Sequence, residues 1–556
     1  MLLWAASAVR ADDKEFADLK ARLLRLEQRN EKLEKQNERL ARQNEQLEQR
    51  FDRLLKGECN GMGPVSAAAY PPAGNIERER LERAVDDYLE ARDEAKKRPD
   101  EDKEKEADAP GYEVGSDLAF KTFWKEGFSA ETANKDFRVH VGGRVHADAG
   151  WFAPDDNLQS LAGPAGWLDG ADFRRLRLRG DGTMYEVLDW VLEIDFQTAV
   201  GGTSNHPVPT DAYVSLTHLP LVGALDIGHY KEPFSFDDYG TPDNYVLLME
   251  RSDADNAFGP ARNMGLMLHN TAFDDRVIWA TGVFRTNSDN ASGNAFDYGD
   301  GEYASTSRVV FMPYYANDGR CWFLFGGAYS HRILDPDEAS SRFRFSSRIP
   351  IRVGSPAFVD TGNLIADDDD LFNVQAALVS GPLMLQAEFY NAQVHDIRRA
   401  LIAASQPRLL DAAFNGFYTQ ASYLLTGEYH PIDRDRARMN RVRPNENFFC
   451  VETGDKDGGR GFGHGQGAWE LVARYEYLDV GSDALGAFPA VPGVPGSAAA
   501  AVAGAGIEQD VAVGVNWYLS PNARLMINYV HAFRNVPGTT GDGDVDALGA
   551  RAIFDF

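Results

Sequence analysis

From about residue 118 to residue 556 apolar and polar side chains alternate with a period of two, in stretches of about eight to twelve residues broken by Gly, Asn, Asp and Pro. A strand directs successive side chains to opposite faces, so each stretch has one apolar and one polar face. In 137–147 Phe137, Val139, Val141, Gly143 and Val145 alternate with Arg138, His140, Gly142, Arg144 and His146. In 188–196 Leu188, Trp190, Leu192, Ile194 and Phe196 oppose Asp189, Val191, Glu193 and Asp195, and in 211–216 Ala212, Val214 and Leu216 oppose Asp211, Tyr213 and Ser215. No apolar run reaches the roughly 18 residues that a spanning helix needs, so a membrane passage must be made by strands.

Two folds accommodate such faces: a soluble sandwich with one wet side, or a transmembrane barrel with lipid outside and a watery lumen. Three features favour the barrel. Aromatics stand near segment ends, as in an interfacial girdle: Trp151, Phe152, Tyr213, Trp279, Trp517, Tyr518 and Tyr529. Short turns such as Ser520, Pro521 and Asn522 alternate with long acidic loops, and the chain stops on a strand ending in Phe556. The fold expected is an all-β, antiparallel transmembrane barrel spanning 118–556, with an α-helical coiled coil N-terminal to it.

The coiled coil rests on a heptad repeat. Leu19, Leu26, Leu33, Leu40, Leu47 and Leu54 hold one core position, and Phe16, Leu23, Asn30, Asn37, Asn44 and Phe51 the other. Asn30, Asn37 and Asn44 fix register, because a slipped neighbour leaves each buried amide against leucine. Arg22 before Glu27 and Arg29 before Glu34 have the spacing that pairs parallel chains. The reading is a parallel coiled coil over 12–56, with strand number open, then a short charged helix and linker over 57–117. Residues 1–11 resemble the end of a secretory signal peptide lacking its charged leading region, with Val9-Arg10-Ala11 as the cleavage motif.

The charge excludes bulk nucleic-acid binding: 57 Lys and Arg against 85 Asp and Glu leave −28. Of this, −24 lies beyond residue 110, with 35 basic against 59 acidic side chains. Cys59, Cys321 and Cys450 show no ligand spacing, and neither GxSxG nor HExxH occurs, so no metal, cofactor or catalytic centre is expected. The acidic run 367–370 lacks the alternating ligands and glycine of a calcium loop.

Several segments in order resemble the phosphate-selective porin O and P family: 140–152 (HVGGRVHADAGWF), 172–196 (DFRRLRLRGDGTMYEVLDWVLEIDF), 211–216 (DAYVSL), 225–235 (LDIGHYKEPFS) and 248–252 (LMERS). The likeness continues through 263–268 (NMGLML), 359–364 (VDTGNL), 417–433 (FYTQASYLLTGEYHPID) and 469–480 (WELVARYEYLDV). The resemblance implies a sixteen-stranded trimeric barrel of the bacterial outer membrane, with a long third loop folded into the pore. The coiled coil lies outside the common core of that family.

An anion pore needs fixed cations closely spaced along its lumen. In 341–353 (SRFRFSSRIPIRV) Arg342, Arg344, Arg348 and Arg352 share one parity and Phe343, Phe345, Ile349 and Ile351 the other. This resembles the family's arginine ladder; Pro350, lacking an N–H, makes the run an edge or an inward-folded segment. A second basic face is Arg175, Arg177 and Arg179, with Arg144 on the neighbouring stretch and Arg174 on the opposite parity, expected at an interface. The constriction expected is 232–265, flanked by Lys231 and Arg262 and holding Asp237, Asp238, Asp243, Glu250, Asp253 and Asp255. These acids, with the inward-parity Asp189, Glu193 and Asp195, argue against anion preference.

The function expected is passive diffusion of small solutes, anions such as phosphate foremost. The alternative is a general or cation-preferring porin acting mainly as a tether, its periplasmic coiled coil, about 60 Å long at 1.5 Å per residue, reaching a periplasmic or cell-wall component. A homotrimer and contact with outer-membrane lipid follow from either reading.

Overall fold

The computed structural model describes residues 113–116, 118–162, 166–197, 206–285, 302–334, 344–362, 364–399, 411–448, 451–454, 460–463, 465–482, 504–536 and 541–556. The expected signal remnant, the coiled coil with Asn30, Asn37 and Asn44, and nearly all of the linker lie outside the described residues, as does Arg342.

Eighteen strands share one antiparallel sheet. The first two are a hairpin, β1 (Phe120–Trp124) and β2 (Phe128–Thr132). Then follow β3 (Arg138–Pro154), β4 (Gly170–Met184), β5 (Leu188–Asp195), β6 (Val208–Leu219), β7 (Gly223–Lys231), β8 (Arg262–Ala272), β9 (Val277–Arg285) and β10 (Tyr303–Ala316). The last eight are β11 (Cys321–Ile333), β12 (Asp368–Ser380), β13 (Leu383–His395), β14 (Ala412–Leu424), β15 (Ala468–Asp479), β16 (Ile507–Ser520), β17 (Ala523–Asn535) and β18 (Gly543–Asp555).

Each of the sixteen strands β3 to β18 pairs with its chain neighbours, and β18 pairs with β3 from Val545↔Pro154 to Asp555↔Arg144. The wall from β3 to β18 therefore closes on itself and makes its ladder hydrogen bonds internally, while β1 pairs with β2 alone among the described residues. Strand β2 pairs with the start of β3, at Phe128↔Val141, where β18 has run out. Among the described residues no helix is long and apolar enough to cross a membrane.

Closure turns the period-two pattern into an inside and an outside. Along β18 Val545, Ala547, Gly549, Arg551, Ile553 and Asp555 are buried inward, whereas Leu548 and Phe554 are exposed outward. The same exposure of Val141, Leu178, Leu192, Val283, Phe325, Val374, Phe389, Val513 and Ile527 makes the outer face an apolar band that water would not tolerate and lipid would cover. Trp151, Trp279, Trp517 and Tyr529 lie on this outer parity. The rings of Trp469 and Trp517 stack 4.8 Å apart, and both indoles donate to the Gln466 carbonyl.

Three expected girdle residues point the other way. Tyr213 lies on the polar parity of β6 and packs 5.2 Å from Tyr230, Phe152 packs 5.8 Å from Trp167, and Tyr518 is buried with its hydroxyl on Glu470. Position near a strand end did not separate the two faces; parity did.

The lumen is filled by connecting segments. The β7–β8 connection, 232–261, crosses it, carrying the short helix α1 (Asp253–Phe258), capped by Ser252. Its backbone is caught by the wall on several sides. Glu388 of β13 accepts from Phe236 N and Asp237 N, Asn516 of β16 donates to the Leu247 carbonyl, and Asn528 of β17 accepts from Met249 N. Met249 and Ile351 both press on the inward Gly549, where a side chain would collide with them.

Candidate functional site: a cation-lined constriction

Lys231 and Arg262 are register partners at the mouth of the inward segment, the last residue of β7 and the first of β8. Arg262 Nε donates to Asp211 at 2.8 Å, and Lys231 Nζ lies 2.7 Å from Asp238 and 3.5 Å from Asp243. The basic face of β3 and β4 shares Asp211 and Asp243 with them. Arg144 Nη2 meets Glu193 at 2.5 Å, and Arg177 meets Glu193 at 3.1 Å and Asp195 at 2.7 Å. Arg179 lies nearer the short-turn end, with Asp181 at 2.9 Å and Asp211 at 3.9 Å.

Asp243 is the hub between segment and wall. Its carboxylate lies 2.6 Å from Arg177, 2.8 Å from Arg251, 3.1 Å from Arg175, 3.5 Å from Lys231 and 3.8 Å from Arg144. Burial alone would raise its carboxyl, but the surrounding cations outweigh that and hold it well below the usual carboxylate range. The inward acids are thus largely consumed as anchors. Glu250 takes a bidentate pair from Arg174, at 2.7 and 3.0 Å, and another guanidinium from Arg551 at 2.8 Å.

Arg174 was expected at an interface on parity grounds. It instead reaches the lumen beside Arg175, because the β3–β4 register shifts between His146 and Ala147. Arg175 pairs with His146 and Phe173 with Ala147, so Arg174 is the extra residue of a bulge. A bulge re-aims a side chain that strict alternation would send outward.

Of the stretch 341–353, the described residues 344–353 are not a continuous strand. They run inside the β11–β12 connection, where only Ser346–Ser347 form a two-residue ladder, with Val359–Asp360. Phe345, Ile349 and Ile351 are buried, so the apolar parity forms the anchor and the arginine parity stands free of it. Arg344 pairs with Asp360. Arg352 donates to Asn256 at 2.5 Å and lies 3.6 Å from Glu250; burial, with Arg174 and Arg348 nearby, pulls it down to about 10. Arg348 is exposed with no carboxylate within salt-bridge distance among the described residues. Partial enclosure by the surrounding segments and, after it, the neighbouring Arg174 and Arg344 lower its guanidinium.

The sequence reading missed one contributor. Residues 425–467 connect β14 to β15 at the end of the barrel that elsewhere carries short turns, and their described part folds inward. Met439 N donates to the Gly240 carbonyl at 2.7 Å, joining this segment to 232–261. Arg438 lies over the Tyr239 ring at 4.4 Å, Arg436 reaches Asp226 at 3.4 Å, and Arg441 pairs with Asp555 at 2.7 Å. The available signal was density: five arginines within 433–443 (DRDRARMNRVR).

Between these elements lies a cavity of about 320 Å³. Six cations line it (Arg144, Arg179, Lys231, Arg262, Arg436, Arg438), against five carboxylates (Asp211, Asp226, Asp238, Asp243, Asp433), with four tyrosines between them. A second cavity of about 500 Å³, toward the short-turn end, shares Arg144, Arg179, Tyr213, Asn244 and Arg436 with it. The two cavities thus share one wall, and the fixed charges that line the smaller are close to balanced and slightly positive.

A closed sixteen-stranded barrel with an inward constriction coincides with a family match over residues 139–556. The chain belongs to the phosphate-selective porin O and P family. Porin O of Pseudomonas aeruginosa is 26% identical over 464 residues, covering 80% of this chain and 93% of that protein. An uncharacterized protein of Caulobacter vibrioides is 24% identical over 370 residues, 64% of each chain. Of solved structures, Pseudomonas putida OprB at high pH is similar over 76% of this chain and 94% of its own, with TM-score 0.44 and 12% identity. The anion-selective porin from Comamonas acidovorans is similar over 76% of this chain and 100% of its own, with TM-score 0.41 and 12% identity. Family and barrel make this porin an outer-membrane channel rather than an enzyme.

Proposed function

We propose that this porin passes small anions, phosphate among them, by passive diffusion through a constriction whose selectivity is set locally rather than by the acidic chain as a whole. The carrying observation is the lining of the 320 Å³ cavity, with six cations against five carboxylates in a chain whose residues beyond 110 carry −24. Selectivity follows the field at the narrowest point, where low-dielectric walls concentrate it. Arg344, Arg348 and Arg352, with Arg342 preceding them in sequence, would gather anions. Arg144, Arg175, Arg177, Arg179, Lys231 and Arg262 would form the basic wall of the passage. Guanidinium suits the task because its planar fork matches phosphate oxygens and keeps its proton. The family's description as phosphate-selective supports the same reading.

The reading extends to assembly. A homotrimer with three parallel copies of 12–56 in register through Asn30, Asn37 and Asn44 would carry one symmetry through coil and barrel. The coil would lie in the periplasm and reach toward a periplasmic or cell-wall component.

The test is the reversal potential of the purified full-length protein in a planar bilayer under a chloride gradient, repeated with phosphate. An anion-selective sign, with chloride current blocked by phosphate, is expected. Cation selectivity without block would overturn the reading and leave a general porin. Deleting 12–98 separates the tether: envelope defects with conductance intact are expected, whereas loss of folded trimer would make the coil an assembly element.

A further inference from the structure

Behind the constriction helix α1 the barrel wall carries an unbalanced set of carboxylates. Glu508 and Asp510 stand on the same inward face of β16, and Glu476 on β15 is the direct cross-strand partner of Asp510. Like charges directly opposed across a ladder repel, and nothing in strand geometry demands them here. Asp253, the first residue of α1, completes the group. One carboxylate oxygen from each of Asp253, Glu476 and Asp510 lies within 4.8 Å of the others.

These groups are withdrawn from solvent: Glu508 and Asp253 are 0% exposed, and Glu476 and Asp510 are 1%. Neither oxygen of Glu508 and neither oxygen of Asp510 receives a hydrogen bond among the described residues. A buried carboxylate without donors is costly, so a group of them calls for a compensating charge. Among the described residues one guanidinium is in contact, that of Arg474. It pairs with Glu476 but also spends Nη1 on the Glu250 carbonyl at 3.0 Å and Nη2 on the Arg251 carbonyl at 3.3 Å. Arg534, which interacts electrostatically with Glu508, donates to the Gly541 and Phe358 carbonyls. Four ionised carboxylates and Arg474 leave three negative charges, and a dication brings this to one.

We propose that Asp253, Glu476, Glu508 and Asp510 bind one divalent hard cation, calcium in preference, which fastens the constriction helix to strands β15 and β16. The donors are all carboxylate oxygens, on three separate elements, without nitrogen or sulfur. That set suits calcium, which takes six to eight oxygens in flexible geometry, better than zinc or a softer metal. The backbone already approaches the same point, since Asp253 N donates to Glu476 at 2.6 Å. The cation would act on the pore through Asp253, because the segment that carries it also carries Asp243 and Glu250.

The experiment uses the full-length protein in detergent free of lipopolysaccharide, stripped with chelator and titrated with calcium by calorimetry. One calcium per chain is expected, with a dissociation constant of roughly 10⁻⁴ M or tighter. Glu508→Gln with Asp510→Asn should weaken it by at least about tenfold. Asp253→Asn, on the inward segment rather than the wall, should weaken it likewise, and covers the case in which the wall variant fails to fold. Asp370→Asn, in the separate half-buried group with His331 and Asp368, should leave it unchanged. Chelator should lower the unfolding temperature of the parent and leave that of Asp253→Asn unmoved. Absence of stoichiometric calcium, or binding that survives these substitutions undiminished, would overturn the proposal and leave the carboxyls to share protons among themselves.

Discussion

Oδ2 of Asp243 lies 2.6 Å from Nη1 of Arg177, and four further cations face the same carboxylate within 3.8 Å. One negative charge thus offsets part of a cluster that would otherwise be strongly positive. Asp243→Asn should therefore raise anion selectivity and tighten phosphate block by about tenfold, the equivalent of about 1.4 kcal/mol. Reversal potentials and block titrations on the same bilayers check this. Unchanged block would mean that permeating anions do not sense the cluster.

The acid response follows from the same geometry. The carboxyl of Asp243 is held well below its usual range, as burial is outweighed by Arg175, Lys231, Arg251 and Arg177. For a lowered carboxyl, the stabilisation is complete above the unfolded value of about 4 and is lost as pH falls through the lower folded value. Conductance and channel noise should hold steady from pH 8 to about pH 4 and change only in stronger acid. A step centred near pH 4 to 5 in the parent, absent in Asp243→Asn, would contradict the assignment.

Arg344 and Arg348 belong to one sequence stripe but not to one environment. Arg344 is tied to Asp360, whereas Arg348 is exposed with no carboxylate within salt-bridge distance among the described residues. An unpaired guanidinium presents its whole charge to an arriving anion; a paired one presents a dipole. Arg348→Ala should reduce anion conductance at low salt several-fold more than Arg344→Ala, and the difference should fade at high salt. Equal losses, or the reverse order, would remove the pairing argument.

The parts that were legible in sequence are those governed by parity. Inward Glu193 and Asp195 and outward Leu192 and Val141 follow from alternation. Parity failed where the backbone departs from a regular ladder. Arg174 turns inward through a bulge, and 344–353 gains its alternation from an anchored loop instead of a strand. Parity was overridden by end position in placing Tyr213, Phe152 and Tyr518, which face inward. The pairing of acids with the basic wall was out of reach, because Asp243 and Arg177 are joined only after the barrel closes and the segment folds in.

The segment after β14 supplies the last test. Arg436 and Arg438 line the constriction from the short-turn end, Arg436 facing Asp226 and His269 and Arg438 lying over Tyr239. Outer-membrane barrels direct their short turns to the periplasm, so these two cations sit on the exit side for an incoming anion. Arg436→Ala with Arg438→Ala should weaken phosphate block more when phosphate is added on the periplasmic side than on the opposite one. The contacts of Arg438 to Tyr239 would be lost, while the Met439 N to Gly240 hydrogen bond remains to hold the segments together. The block should therefore become asymmetric without a large rise in conductance. A symmetric loss of block, or a wide-open channel, would show that the two arginines brace the constriction rather than guide the ion.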